Sequence, residues 1–310
     1  MGHLAMTQPT PHEDWHILGA GALGGLWAVR LSQLMPVYLL ARNPTSPSRA
    51  LHLQDQQGSQ SRTLPVEPIN APGAPIRQLL VATKSYDALP ALQAVSHRLL
   101  PNTAIYLMQN GLGSQEAVVR QYSRYPIYAV TTTEGANRRS PDEIIHAGRG
   151  QSWIGPLNER ASLARANVTA CRFREAGLES QATPDIRHRL WLKLAINCAI
   201  NPFTAVLNCP NGELIHYAFF NKRLPALCEE VAQAMSLAGY PTTATALQTQ
   251  VQEVISGTAA NISSMLQDIR AGRRTEIDAI NGYLVQFSQA QGLQAPINED
   301  LVQRVLALHP

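Results

Sequence analysis

The chain's 310 residues predict an α/β domain followed by an all-α domain, and three observations carry that expectation. The first is a glycine triplet, Gly19-Ala20-Gly21-Ala22-Leu23-Gly24, set between a short apolar run and a helical pattern. The second is a series of apolar runs of strand length, each leading into a polar turn or a helical stretch. The third is a change of texture near Thr183-Pro184, beyond which helix follows helix. The expected organisation is a leader over 1–12, a dinucleotide-binding domain over 13–183 and a helical domain over 184–310.

In the first of these, Trp15-His-Ile-Leu18 reads as a strand, and Leu26, Val29, Arg30 and Leu34 mark the helix after it. That is G-x-G-x-x-G in the strand-to-helix setting that a Rossmann-type fingerprint requires. Gly19 makes the tight turn, Gly21 lets backbone approach a pyrophosphate, and Gly24 lets helix pack on strand. The helix N-terminus supplies oriented N–H groups for phosphate, so the whole stretch Gly19 to Gly24 is a candidate cofactor site. The next strand, Pro36 to Ala41, ends in Arg42-Asn43. An NAD-binding chain places an acid at about this point, roughly twenty residues on, whereas an arginine attracts a 2′-phosphate. NADPH is therefore expected over NADH, the alternative being a solvated arginine that closes a strand.

Leu51 to Ile69, with Gln57-Gly58 at its centre, suggests a hairpin, and Pro65, Pro68, Pro72 and Pro75 punctuate its second half and the segment beyond it. Ile76 to Thr83 reads as a buried strand and is followed by a helix from about 87 to 99. Lys84, at the carboxyl end of that strand, is a candidate cofactor or substrate contact, or else a solvated loop residue. Thr103 to Met108 repeats the pattern and leads into Gln109-Asn110-Gly111-Leu-Gly113, where Asn110 reaches the same sheet edge or simply makes a turn. Ile127 to Thr133, Glu143 to Ala147 and Gln151 to Ile154 read as further strands, the last two closing the sheet in antiparallel sense. A helix from 159 to 176 and a strand from 178 to 182 complete the domain.

The helical half is expected over 186–201, 224–238, 242–256, 258–271, 275–291 and 298–307. In Trp191-Leu-Lys193-Leu-Ala-Ile-Asn197-Cys-Ala-Ile-Asn201-Pro202, the lysine and two asparagines fall at i, i+4 and i+8, which places one amine and two carboxamides on one stripe. Pro202 is expected to end this helix near Asn201. The stripe suits a small polar ligand; the alternative is a lysine reaching water along its own stem. Asn261, Ser264 and Asp268 fall on one face of the expected 258–271 helix. Glu276 and Asp278 open the next, where a carboxylate also suits a helix N-terminus.

Composition sets the limits. Hydrophobic residues are 45% and charged residues 15%, so the chain is too apolar for disorder. The net charge of +3, without a basic cluster, argues against a nucleic-acid surface and still favours an anionic ligand. The four cysteines form no C-x-x-C pair, so neither a metal site nor a disulfide framework is expected. No uninterrupted apolar run is long enough to span a bilayer. A reducing cytoplasm fits the cysteine usage; the partner expected is a small molecule, with no nucleic acid and no membrane, and the chain is expected as a monomer or homodimer.

With these motifs in hand, the chain resembles the ketopantoate reductase family over nearly its whole length after the leader. The likeness rests on Gly19 to Gly24, Gln109 to Gly113, Leu190 to Pro202, Asn208-Cys-Pro-Asn211-Gly-Glu-Leu, Asn261 to Ala271, and Thr275-Glu276-Ile-Asp278. The resemblance implies an active site in a cleft between the two domains, with NADPH/NADP+ as cofactor and ketopantoate as substrate. It implies Lys193 as proton donor and Glu276 at the reacting centre or cofactor. Arg42, Lys84, Asn110 and Ala136 then match cofactor positions, and Asn110, Lys193, Asn197, Asn201, Asn211 and Ser264 match substrate positions. Val130 and Glu134-Gly135 depart from the family pattern beside Ala136. Burial would lower the Lys193 pKa from its free value of about 10.4 and Glu276 would raise it, a balance the sequence leaves open. A same-fold reductase of another branched 2-oxo acid and a non-catalytic NADP(H) sensor are the competing functions.

Overall fold

The computed structural model describes residues 14–308, so the expected leader over 1–12 lies outside the described residues. The chain forms two compact units, one made of the residues up to Gln109 together with Gln115–Ile186, the other of Asn110–Ser114 and Arg187 onward.

The first unit contains β1 (Trp15–Leu18), α1 (Ala22–Leu31), β2 (Val37–Ala41), β3 (Ser48–Asp55), β4 (Gly58–Pro68), β5 (Ile76–Val81), α2 (Ser85–Val95) and β6 (Leu99–Leu107). It continues with α3 (Ser114–Gln121), β7 (Ile127–Thr132), β8 (Gly135–Arg138), β9 (Glu143–Gly148), β10 (Ser152–Pro156), α4 (Leu163–Glu175) and β11 (Ser180–Ala182). The strands make one sheet in the order β11-β10-β7-β6-β5-β1-β2-β4-β3-β9-β8. The run from β7 to β4 is parallel throughout, and β1 and β7 are buried at every residue. Such strands read as continuous apolar runs because both faces are covered. The chain leaves β1 toward β2 on one side and returns to β5 on the other, so the carboxyl end of β1 is a topological switch point. Trp15 packs against Tyr106 and Phe173 in the core of this unit, with ring centroids 4.9 and 5.5 Å apart.

The hairpin expected around Gln57-Gly58 is present, with Asp55 opposite Gly58 in the β3–β4 register. The two closing runs behave differently from expectation, because β9 and β10 do not pair with each other. β9 lies parallel to β3 and antiparallel to β8, while β10 lies antiparallel to β7 near the other end of the sheet. The connection passes so close to Thr133 that a Cβ on Gly150 would lie 2.4 Å from the Glu134 amide nitrogen, which keeps the crossing glycine bare.

The second unit holds α5 (Ile186–Leu207), α6 (Ala218–Leu237), α7 (Ala244–Gly257), α8 (Ser264–Arg270), α9 (Asn281–Ala290) and α10 (Pro296–Leu306), with 3-10 turns at Asn211–His216 and Ile277–Ala279. An eighteen-residue window of α5 has a mean hydropathy of 1.4, long and apolar enough to cross a membrane by composition, yet 67% of it is buried inside the protein. Trp191 on α5 packs edge-on against Tyr283 and Phe287 of α9, at 5.9 and 5.1 Å.

α5 does not stop at Asn201; it runs through Pro202. A proline at that position removes the N–H that would serve the carbonyl four residues back, Cys198. The fully buried Asn281 replaces it, donating from Nδ2 to the Cys198 oxygen at 3.1 Å and to Asn298 Oδ1 at 2.9 Å. The helix therefore survives its proline through a side chain far away in sequence. Replacing Asn281 by leucine strips Cys198 of that donor and is expected to lower stability by about 1–3 kcal/mol, read as a lower urea midpoint.

Two other helices start later than expected. Ser263 is the N-cap of α8, its Oγ accepting the Leu266 amide at 3.1 Å, so Asn261 lies outside the helix and off the face it was expected to share with Ser264 and Asp268. The expected 275–291 helix is a 3-10 turn followed by α9 from Asn281. Among the described residues all four cysteines are free, and no group of three or more His, Cys, Asp or Glu could hold a metal ion.

Candidate active site

At the end of β1 the chain turns at Gly19, whose φ is +97°. A Cβ there would lie 2.7 Å from the Thr83 amide nitrogen, so conformation and space both demand glycine. A Cβ on Gly24 would lie 2.2 Å from the Gly19 carbonyl oxygen, which is the close packing the third glycine permits. Gly21 is different: nothing lies within 4 Å of its Cβ position. It is the N-cap of α1, which has no side-chain cap and no acidic residue in its first turn. Bare backbone with space in front of an uncapped helix start fits a pyrophosphate. Ala20, Ala22 and Leu23 are half-buried along this turn.

Two buried oxygens near this sheet edge, Thr83 Oγ1 and Gln109 Oε1, have no hydrogen-bond partner. Gln109 is held by its other end, Nε2 donating to the Val81 oxygen at 2.7 Å. Oxygens of this kind are satisfied by a ligand that brings hydroxyl or amide groups. Arg42 follows β2 directly, and its Nη2 lies 3.2 Å from Asp87 Oδ1 in the first turn of α2. Lys84 is the N-cap of the same helix and is half-buried. The chain's own residues thus offer a phosphate cradle, a cation beyond β2 and buried acceptors, a set that fits a dinucleotide.

Ala136 is half-buried in β8, opposite His146 of β9. The departure at Glu134 has a structural counterpart: its carboxylate accepts from His146 Nε2 at 2.6 Å and from the Gly150 amide at 2.9 Å. The two side chains are 2% and 1% exposed. The Glu134 amide in turn donates to Thr132 Oγ1 at 3.0 Å, tying the start of β8 to the end of β7. Val130 is a core residue.

In the second unit, α5 carries Lys193, Asn197 and Asn201 in the register the spacing predicts; Lys193 and Asn197 are half-buried and Asn201 is buried. Burial pulls the Lys193 ammonium down to about 8, against the Glu276 carboxylate, which raises it. Desolvation therefore wins the contest that the sequence left open. Glu276 is itself buried, and Asn110 Nδ2 donates to its Oε2 at 3.2 Å. Asn110 is held there by its neighbours: the Leu112 amide donates to the Ala279 oxygen at 2.9 Å, and a Cβ on Gly111 would lie 2.1 Å from that same oxygen.

At the far end of the stripe, Thr204 Oγ1 donates to the Asn201 carbonyl at 2.8 Å and lies 2.6 Å from Ser263 Oγ. Ser263 is buried while its neighbour Ser264 is exposed at the start of α8. Asn211 Nδ2 donates to Thr258 Oγ1 at 2.9 Å, and its buried Oδ1 has no partner. Within this unit Glu276 is bonded to Asn110 and acts electrostatically on Lys193, and the Asn201 carbonyl is linked through Thr204 to Ser263. Thr83, Asp87, Thr204, Ser263 and Asn281 did not stand out in the sequence. Ser263 alone carried a signal, as the first of two serines that precede the apolar pair Met265-Leu266.

Comparison with known proteins adds to this geometry. A family model described as ketopantoate reductase PanE/ApbA matches residues 15–159, and the model for the C-terminal part of the same family matches 185–309. A 2-dehydropantoate 2-reductase of Vibrio cholerae is 35% identical over 292 residues, covering 94% of this chain and 96% of that one. The crystal structure of a probable 2-dehydropantoate 2-reductase from Bacillus subtilis is similar with a TM-score of 0.81 and 26% identity, covering 96% of this chain and 100% of that one. D-mandelate dehydrogenase, solved with NADH and anilino(oxo)acetate, shares the fold at a TM-score of 0.86 and 21% identity over 95% of this chain and 98% of that one.

Proposed function

This chain belongs to the ketopantoate reductase family and is a pyridine-nucleotide-dependent reductase that converts 2-dehydropantoate to pantoate; from that premise we propose how its own residues act, with NADPH as reductant and Lys193 as proton donor. The observation that carries the proposal is the placement of Lys193 in register with Asn197 and Asn201 on α5, where burial lowers the amine to about 8 against the Glu276 carboxylate.

Bound nicotinamide supplies the hydride that reduces the keto carbon. Negative charge then grows on the carbonyl oxygen, and the Lys193 ammonium both stabilises it and delivers a proton to it. A free lysine holds its proton too tightly to be an efficient acid near neutrality; a value of about 8 brings proton transfer into range while leaving the amine mostly charged at pH 7. Asn110, linked to Glu276, fixes the carboxylate that keeps the ammonium from losing its proton sooner. Asn197, Asn201, Asn211 and Ser264 supply hydrogen bonds for the substrate carboxylate and hydroxyl, and directional donors of this kind discriminate more sharply than an apolar wall. Gly19 to Gly24 take the pyrophosphate, Arg42 the 2′-phosphate, and Lys84 and Ala136 line the cofactor.

An absorbance assay at the nicotinamide band, with ketopantoate or 2-oxoisovalerate and either reduced cofactor, tests this reading. It predicts the highest kcat/KM for ketopantoate with NADPH. Equal or better use of 2-oxoisovalerate would replace the substrate, and no oxidation with either acid would leave a binding protein.

The same assay against pH carries a sign. Lys193 acts in its protonated form, so kcat/KM for reduction is expected to be flat below about 8 and to fall as the pH rises through it. Glu276→Gln removes the charge that raises the lysine, so the falling limb is expected to move to lower pH. A limb that stays put in the variant would remove Lys193 from the role.

A further inference from the structure

We propose that Asp87 governs how sharply this chain distinguishes NADPH from NADH, by competing with the 2′-phosphate for Arg42. The inference rests on the proposed use of NADPH and concerns a residue to which that proposal gives no part.

Arg42 leaves the carboxyl end of β2, and Asp87 stands in the first turn of the helix after β5. Those two strands flank β1 on either side. With strands about 4.8 Å apart, an ion pair between them reaches over the end of the strand between, which is where the Gly19 turn lies. The pair is formed at 3.2 Å with side chains 65% and 42% exposed, so it is open to a ligand arriving from solvent.

This geometry offers each cofactor one favourable partner. A 2′-phosphate gains the Arg42 guanidinium but must displace Asp87 and then sit beside its negative charge. A 2′-hydroxyl has no use for the arginine and instead donates to the Asp87 carboxylate, the contact that an acid at the end of β2 makes in NAD-binding chains. Here the acid comes from α2 rather than from β2, so a strand-end arginine and a ribose-reading carboxylate are present together. The outcome is a preference for NADPH held below what Arg42 alone would give.

Titration calorimetry with NADP+, NAD+ and adenosine 2′-monophosphate tests this on wild type, Asp87→Asn and Arg42→Ala. An exposed pair contributes modestly, so Asp87→Asn is expected to tighten NADP+ and adenosine 2′-monophosphate by about two- to fivefold while weakening NAD+. Asp87 also stands in a helix first turn, where an acid stabilises the helix. Asp87→Ser, which keeps a hydrogen-bond acceptor there, is expected to shift the Kd ratio in the same direction, whereas a purely structural role would weaken both nucleotides together. An unchanged NADP+ to NAD+ ratio in both Asp87 variants, with the ratio lost in Arg42→Ala, overturns the inference and leaves the NADPH reading standing. A ratio that Arg42→Ala also leaves unchanged overturns both.

Discussion

Lys193→Ala is expected to lower kcat by about 10²- to 10⁴-fold while NADPH still binds, because general acid catalysis contributes on that scale. The residue sits on α5, whose register is fixed by Trp191 packed against Tyr283 and Phe287 on one side of it and by the bond from Asn281 to Cys198 on the other. Removing the amine leaves this packing in place, so the fold is expected to persist and the loss to appear in turnover. Lys193→Arg is expected to fail as a rescue. A guanidinium keeps its proton above pH 12, and it is planar where the ammonium is a point charge. Steady-state rates together with a nucleotide Kd separate the two effects; wild-type-like turnover in the alanine variant would end the proposed role.

His146→Leu is expected to cost about 3–5 kcal/mol of stability, the usual result of leaving one member of a buried pair behind. The Glu134 carboxylate would keep only the Gly150 amide as donor, in a position where it is 2% exposed. The double variant Glu134→Leu/His146→Leu is expected to lose less than the single one, since two apolar side chains of similar size leave no buried polar group without its partner. Urea unfolding of the three proteins checks the order. A single variant as stable as wild type would mean that the Glu134–His146 contact does not support the fold.

The parts legible in the sequence were those whose causes are local. Gly19 to Gly24 could be read because a turn at positive φ, an open approach and a close packing each demand glycine at a fixed offset from a strand end. The Lys193–Asn197–Asn201 stripe could be read because helical spacing needs nothing beyond the chain's own geometry. Pro202 misleads as a helix end for the opposite reason: the donor that replaces its missing N–H comes from Asn281, which no local rule connects to it. Asp87 opposite Arg42 is illegible on the same ground, since only the order of β5, β1 and β2 brings them together. Periodicity places the start of α8 too early because it outweighs the capping serine at 263. The substrate itself is not written in periodicity at all; it comes from the resemblance, and the matching family models bear that out.

The short Asn110–Ser114 segment, which belongs to the helical unit although both flanks belong to the other, bears on how the gene can be cut. A clone that starts at Arg187 would encode every long helix and still lack the five residues that seat against Ala279 and reach Glu276. Such a fragment is an incomplete module: its missing piece travels with the upstream half, and exchanging halves between homologues at that junction would import a foreign loop into the surroundings of Glu276.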